Sequence, residues 1–404
     1  MNGSDMFDQL SENIEVRIRM DAEADAVLVL DSVVGGTTSG GVRISADVSD
    51  EEVHALAREM TLKYAFFGLC RGGAKCGIRM PADLSGERRA KVLREFGRHL
   101  APVISSGLYY PGMDMNCSFQ DLQDIYLGAG QRVSVKTDTA YYTAMSVAQV
   151  MAAVATHAGS DRRLSYSIAG LGRVGWHLLR MLDPGQFKIV GFSTVHGGRY
   201  QDSGYDAQDI ARKYEQYGDA FVRHIDEGIL ADKEGIFARP VDIFLPAART
   251  NSIHSGNVDA LQTRYVVAIA NKPFTSDALA VLEQRGIACF PGYVCNGGGV
   301  FASGLKDSGF ADERIAAFCA GPYRKLMEQM LIKASSGPKT LHEIAKDLAF
   351  ASHRRLRFEK NSIINRGLHK LGRHFDFAGR MLRADMLRRL ENQMRDHDHA
   401  IQSI

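Results

Sequence analysis

The stretch Leu164-Ser165-Tyr166-Ser167-Ile168-Ala169-Gly170-Leu171-Gly172-Arg173-Val174-Gly175-Trp176-His177-Leu178-Leu179 decides the fold of the 404-residue chain. Six residues of strand character run into G-x-G-x-x-G, and the following residues take helical spacing up to Leu182. In that context the glycines have separate tasks. Gly170 makes the tight turn, Gly172 lets a pyrophosphate approach the backbone, and Gly175 lets helix and strand pack, while the helix N-terminus offers amide donors. Lys188–Ser193 reads as the second strand of a βαβ unit. Val241–Leu245, Tyr265–Ala270 and Ile287–Phe290 are short apolar runs separated by helical stretches, as parallel strands buried on both faces require. The middle of the chain is therefore expected to be a Rossmann-type doubly wound sheet that binds a dinucleotide.

The expected nucleotide is NAD or NADP. An acidic residue at the end of the second strand selects the ribose 2′-hydroxyl of NAD, but Phe192-Ser193-Thr194-Val195-His196 holds no carboxylate. His196 or Arg199 facing a 2′-phosphate and both being ordinary loop residues are open alternatives.

Upstream the pattern is mixed α/β. Ala26–Val34 and Gly77–Met80 are strand-like, and Ser49 with Glu52 reads as a capping box opening a helix. On that helix Val53, Leu56, Met60 and Lys63 share a stripe, which sets a lysine among apolar side chains. Arg71-Gly72-Gly73-Ala74-Lys75-Cys76-Gly77 holds a second lysine among glycines that let backbone approach a ligand. A second cation near Lys63, together with burial, lowers a lysine pKa, as acid–base work near neutral pH requires. Asp114 follows an apolar segment, where a carboxylate can exchange a proton with a substrate amine or simply cap a turn.

Composition narrows the remaining classes. The chain is 45% hydrophobic and 24% charged with 40 glycines, and its length favours two domains. A net charge of +2 gives no reason to expect nucleic acid or a membrane as main partner. Six cysteines without a C-x-x-C pair suggest neither a metal site nor a disulfide framework and fit a cytoplasmic protein. Beyond about residue 310 the pattern is helical, with a break at Ser335–Pro338 and a capping box from Thr340 to Glu343. The tail is basic, with Arg354, Arg355, Arg357, Lys360, Arg366, Lys370, Arg373, Arg380, Arg383, Arg388 and Arg389 at helical spacing. It reads as a solvated face or subunit contact rather than a nucleic-acid surface.

Together the motifs resemble the glutamate/leucine/phenylalanine/valine dehydrogenase family from about Gly35 to Gly304. Gly40-Gly41-Val42-Arg43, Met60-Thr61-Leu62-Lys63, Gly72-Gly73-Ala74-Lys75, Asp114, Thr143-Ala144, the dinucleotide turn, Pro246-Ala247-Ala248, Ala270-Asn271 and Asn296-Gly297-Gly298-Gly299-Val300 occur in the family's order. The resemblance implies three parts: a substrate and dimerisation domain over residues 1–140, a Rossmann domain over 141–305, and a helical C-terminal segment over 306–404 returning to the first domain. It implies a homo-oligomer acting on an amino acid, its 2-oxo acid and ammonia, with chemistry in a closed cleft.

By the same resemblance Lys63 binds the substrate α-carboxylate, Lys75 activates the water exchanged with the imine, and Asp114 shuttles the amine proton. Gly41, Asn296 and Ser303 border the substrate. Arg173, Val174, Ser193, Thr143, Ala247, Ala248, Asn271 and Asn296 join the glycines around the cofactor.

Four positions depart from the family. Ser39 replaces the lysine with which glutamate-specific members grip the distal carboxylate, so a non-glutamate L-amino acid is expected. Ser303 looks like the serine of glutamate enzymes rather than the valine of leucine enzymes. Asn116 and Ser146 stand where the family has glycine. These two motivate an alternative, a cofactor-binding protein with lost or reduced activity acting through its basic tail. An imine reductase using another amine donor is not separated from the leading reading.

Overall fold

The computed structural model describes residues 13–20, 24–133, 137–358 and 376–403. Those up to Thr137 and those from Ala349 to Ala384 form one unit; Asp138–Leu348 and the residues from Asp385 onward form a second. The residues after 305 are thus divided between the units.

The first unit is built on β1 (Ile14–Arg19), β2 (Asp25–Leu30), β3 (Thr38–Ile44), β4 (Gly72–Arg79) and β5 (Tyr109–Met113), in the order β1-β2-β4-β3-β5. β3 is parallel to both β4 and β5, while β2 is antiparallel to β1 and β4. Alternation along the strands separates two faces. Leu28, Leu30, Val42, Ala74, Cys76 and Ile78 face helices Gly86–His99 and Phe119–Gly128 in the main core, with Phe96, Leu122 and Ile125. Val27 and Val29 face helix Asp50–Phe66 through Val53 and Ala57. The residues of β4 that point toward this helix are Gly73, Lys75 and Gly77.

That helix begins where the sequence predicts, with the Ser49 hydroxyl accepting from the Glu52 amide at 3.1 Å. Its position depends on glycine. A Cβ on Gly73 would lie 2.1 Å from the Thr61 nitrogen, and one on Gly77 2.6 Å from a Val53 methyl. Asp31, at the end of β2, pins the helix from below: it accepts from Arg58 at 2.7 Å and from the Thr61 hydroxyl at 2.6 Å. The glycine segment expected to let backbone approach a ligand lies within β4, and at Gly73 and Gly77 it approaches the helix instead.

The second unit holds β6 (Leu164–Ala169), β7 (Phe187–Thr194), β8 (Gly197–Tyr200), β9 (Ile229–Ala231), β10 (Ile243–Pro246), β11 (Tyr265–Val267) and β12 (Ala288–Phe290), in the order β12-β11-β10-β6-β7-β8-β9. From β12 to β7 neighbours are parallel, as expected, and β10 and β11 are buried throughout. β8 and β9 extend the sheet antiparallel beyond β7; the strand signals did not include them. The chain leaves β6 for β7 on one side and returns to β10 on the other. The carboxyl ends of β6 and β10 thus flank the switch point at which such sheets bind ligands.

The described C-terminal residues are largely helical. The Thr340 capping box forms, with the Glu343 amide donating to the Thr340 hydroxyl at 3.3 Å and the Thr340 amide to the Glu343 carboxylate at 2.8 Å. In helix Asp376–Ser403, Leu387, Leu390 and Met394 are buried and Arg388 and Arg389 exposed, so this part of the basic stripe is a solvated face. Lys360, Arg366, Lys370 and Arg373, and the side chains of Arg380 and Arg383, lie outside the described residues. No described helix is long and apolar enough to cross a membrane.

Gly73→Ala forces a methyl against helix backbone and should lower unfolding free energy by about 2–3 kcal/mol in urea titrations; unchanged stability would contradict the close approach.

Candidate active site

Three strands and one helix of the first unit converge their polar side chains. Lys75 on β4 and Asp114, just beyond β5, form an ion pair with Nζ to Oδ2 at 2.8 Å. Arg43 on β3 donates through Nε to the same oxygen at 2.9 Å and through a terminal nitrogen to Glu52. Gly41 lies beneath them: a Cβ there would be 2.6 Å from Cβ of Asp114. Lys63, on the helix stripe with Val53, Leu56 and Met60, is buried like Lys75, at 4% and 2% exposure.

Burial lowers the Lys63 pKa to about 8, against the opposing pull of Glu59 and with help from Lys75. Burial also lowers the Lys75 pKa, with Asp114 holding it up and Arg43 pushing it further down. For Asp114 burial acts upward, yet Lys75 and Arg43 outweigh it and keep the carboxyl well below the usual carboxylate range. The cluster contains two cations of lowered proton affinity and one firmly ionised carboxylate, the equipment for moving protons at a buried amine.

The role of Arg43, which the Gly40–Arg43 motif contains, emerges only from the strand register. The signal was available: Ser39, Gly41 and Arg43 alternate onto one face of β3, in register with Tyr110, Gly112 and, by extension, Asp114. Ser39 donates its hydroxyl to the Tyr110 carbonyl at 2.8 Å. Arg71, also without an assigned role, places its guanidinium over the Tyr110 ring, 4.9 Å from the centroid.

The two glycine departures fit locally. Asn116 has φ 57°, the left-handed region that glycine favours and asparagine tolerates best among other residues. Its amide donates to the Ile44 carbonyl at 3.1 Å, and its own carbonyl accepts from Arg89 at 2.8 Å. Ser146 is fully buried; its hydroxyl donates to the Cys295 carbonyl at 2.7 Å and accepts from the Gly298 amide at 3.1 Å. It therefore ties helix Thr139–Ala158 to the turn that carries Asn296.

In the second unit the dinucleotide turn divides its tasks as its sequence predicts. Gly170 has φ 96°, and a Cβ there would strike Ala248 at 2.5 Å. The Ser193 carbonyl accepts the Gly170 and Leu171 amides at 3.1 and 2.7 Å. A Cβ on Gly175 would press on Leu171 at 3.1 Å, whereas one on Gly172 meets nothing within 4 Å. Open space at Gly172, beside the N-terminus of helix Arg173–Met181, is the cradle a diphosphate needs. Arg173 pairs with Asp138 at 3.1 Å, and Val174 occupies the same first turn.

Asn296, 6% exposed, donates to the Ile269 carbonyl at 2.8 Å and to the Asn271 side chain at 3.1 Å, while its Oδ1 is buried with no hydrogen-bond partner among the described residues. Such an acceptor suits an amide donor such as a nicotinamide carboxamide. The residues present thus fit a nicotinamide dinucleotide at its diphosphate and at its nicotinamide. Thr143 bonds the Thr139 carbonyl at 2.8 Å, the Ala247 amide donates to the Ala169 carbonyl at 2.8 Å, and Ser303 bonds the Gly299 carbonyl at 2.6 Å. Arg199 is engaged by the Val222 and Gly228 carbonyls at 3.1 and 3.4 Å, and Thr194 by that of Asp219 at 2.9 Å.

Comparison with known proteins gives a consistent result. Residues 136–338 match the model of the Glutamate/Leucine/Phenylalanine/Valine dehydrogenase family, and residues 11–128 that of the Glu/Leu/Phe/Val dehydrogenase dimerisation domain. The chain is 30% identical to a glutamate dehydrogenase of Thermotoga maritima over 313 residues, covering 72% of this chain and 74% of that one. It is 30% identical to an NADP-specific glutamate dehydrogenase of Saccharolobus shibatae over 285 residues, 66% and 67% of the two chains. The fold matches that of a hetero-hexameric glutamate dehydrogenase from Thermus thermophilus with a TM-score of 0.73 at 22% identity, over 88% of this chain and 94% of that one.

Lys63 has a signed pH consequence. Its folded pKa of about 8 lies below the ordinary 10.5, so between these values the unfolded chain binds the proton and stability rises with pH. Lys63→Met should therefore exceed the native protein in unfolding free energy at neutral pH by on the order of 3 kcal/mol, the gap closing as pH rises through that window. A gap independent of pH would contradict this burial of charge.

Proposed function

The chain belongs to the glutamate/leucine/phenylalanine/valine dehydrogenase family, and from that premise we propose that this amino-acid dehydrogenase catalyses the reversible NAD- or NADP-dependent oxidative deamination of an L-amino acid to its 2-oxo acid and ammonia. The observation that carries this reading is the buried Lys75–Asp114 ion pair, shared with Arg43 and neighboured by Lys63.

Lys63 holds the substrate α-carboxylate. Asp114, kept ionised by its two cationic neighbours, takes a proton from the substrate ammonium. When bound, the nicotinamide supplies the hydride acceptor for the substrate α-carbon. Lys75, which burial inclines toward its neutral amine, accepts in that form a proton from the water that attacks the resulting imine carbon. Asp114 then returns its proton to the carbinolamine nitrogen, the C–N bond breaks to release ammonia, and the hydroxyl proton is given up to solvent as the 2-oxo acid forms. Arg43 touches no substrate in this scheme; it fixes the orientation and charge of Asp114. Gly170, Gly172, Arg173, Val174, Gly175, Ser193, Ala247 and Ala248 would hold the nucleotide, with Thr143, Asn271 and Asn296 toward the nicotinamide. The match to a dimerisation domain supports an assembly of more than one copy.

The choice of amino acid is set near Ser39 and Ser303. Excluding glutamate rests on Ser39 in place of a lysine, which counts only where no other cation faces that end of the sheet; Arg71 does face it. Asn116 in the left-handed conformation and Ser146 with both a donor and an acceptor partner fit their positions, which supports the dehydrogenase reading over a binding protein with lost activity.

Lys75→Ala should retain NADPH or NADH binding, read by fluorescence titration, while lowering kcat by about a thousandfold or more; a variant that kept its turnover would overturn the assigned role. Gly172→Ala, at φ −112°, should fold with native stability yet bind either dinucleotide at least about tenfold more weakly, because its methyl enters open space at the helix N-terminus. Native affinity in that variant would remove the cradle from the account.

A further inference from the structure

The polar face of the first unit's sheet continues past the Lys75–Asp114 pair toward the amino ends of β3, β4 and β5. β3 lies between the other two, and Ser39 is in register with Gly73 on one side and Tyr110 on the other. Tyr110 shares the face of Asp114, four residues on, by strand alternation. Arg71, two residues before Gly73, carries its guanidinium across this end to the Tyr110 ring. The outcome is a subsite of Ser39, Arg71 and Tyr110, with Gly41 and Gly112 on the same face beneath it and Gly73 covered by the helix that bears Lys63.

Arg71 is the cation left over on this face. Arg43 and Lys75 are committed to Asp114, and Lys63, in the function proposed above, to the α-carboxylate. The Arg71 guanidinium is half-buried and, among the described residues, makes no ion pair with a carboxylate. Contact with a tyrosine ring is a weak interaction at a partly exposed site and leaves the five N–H donors of a guanidinium available. Such a fork matches a carboxylate bidentately, and a half-buried position strengthens the pair over one in water. The spacing also fits. Gly41, beside Asp114, is two residues from Ser39, roughly 6.6 Å along the strand. A side chain of two or three methylenes ending in a carboxylate covers that span. The Ser39 hydroxyl spends its proton on the Tyr110 carbonyl, so it offers the subsite no competing donor.

We infer that Arg71 recognises the distal carboxylate of the substrate, so that the enzyme acts on L-amino acids with an anionic side chain and supplies with a guanidinium on β4's leading edge the charge that Ser39 lacks. This rests on the amino-acid dehydrogenase reading.

Two measurements on the full chain separate the subsite from that reading. The first follows cofactor reduction, with NAD and with NADP, on L-glutamate and L-2-aminoadipate against L-leucine, L-phenylalanine and L-tryptophan, for the native protein, Arg71→Ala and Arg71→Lys. The native protein should prefer the acidic set. Arg71→Ala should lose about a hundredfold in kcat/KM on it while changing little on the apolar set, and Arg71→Lys should recover part of the loss. The second titrates glutarate and 4-methylpentanoate by calorimetry, which needs no turnover; only glutarate should bind well, and Arg71→Ala should weaken it by a similar factor. Preference for apolar substrates, or an equal loss on both sets, overturns the inference and leaves the dehydrogenase reading standing. Arg71-dependent glutarate binding without turnover on any amino acid supports the subsite and sinks the dehydrogenase reading. Glutarate binding indifferent to Arg71, or absent, overturns the subsite whatever the turnover.

Discussion

Two lysine ammonium groups inside one unit are the constraint from which the first half of this protein follows. A buried charge without a partner is costly, and in water-poor surroundings it sheds its proton instead. Asp114 at 2.8 Å makes Lys75 tolerable, and Arg43 on the same carboxylate oxygen keeps Asp114 ionised despite its burial. Each member holds another in the protonation state that suits proton transfer. That state requires the helix bearing Lys63 to lie flat on β4, which is possible only where β4 has no Cβ to interpose. Gly73 and Gly77 meet that need on either side of Lys75, and Asp31 fixes the helix through Arg58 and Thr61.

The second unit solves a different problem with the same residue type. At Gly170 the chain turns at a positive φ against Ala248; at Gly175 helix and strand pack closely; at Gly172 the space is open. Only the last can face a ligand, so one short motif separates structural glycines from a functional one. Asn296 adds a buried acceptor unmatched among the described residues, in a turn that Ser146 ties to helix Thr139–Ala158.

Much of this was legible in the sequence, for physical reasons that also mark where legibility ended. The parallel strands of the second unit are largely buried and rich in apolar residues because both faces are covered, so β6, β7 and β10 stand out in the sequence; β8 and β9 are short and lie toward an edge, where that pressure is absent. A lysine on an apolar stripe stood out because it violates the helix's own pattern, and Lys63 was found that way. The glycines beside Lys75 were misread as ligand-facing, since close approach by a neighbouring helix and close approach by a ligand call for the same residue. Asn116 looked like a defect for a related reason: sequence shows the loss of glycine, and only the backbone shows that asparagine fills the left-handed position. Arg43 and Arg71 went unassigned because their partners, Asp114 and Tyr110, are distant in sequence and meet them only through strand register.

The account turns on whether ammonia nitrogen becomes amino-acid nitrogen at this site. The most direct measurement supplies the purified protein with 15N-ammonium, a 2-oxo acid panel that includes dicarboxylic, branched and aromatic members, and NADH or NADPH, and follows the product by 15N-edited NMR alongside cofactor absorbance. The account predicts a 15N-labelled L-α-amino acid formed in equal amount to the cofactor oxidised. Cofactor oxidation without labelled amino acid, or no reaction with any member of the panel, would contradict it.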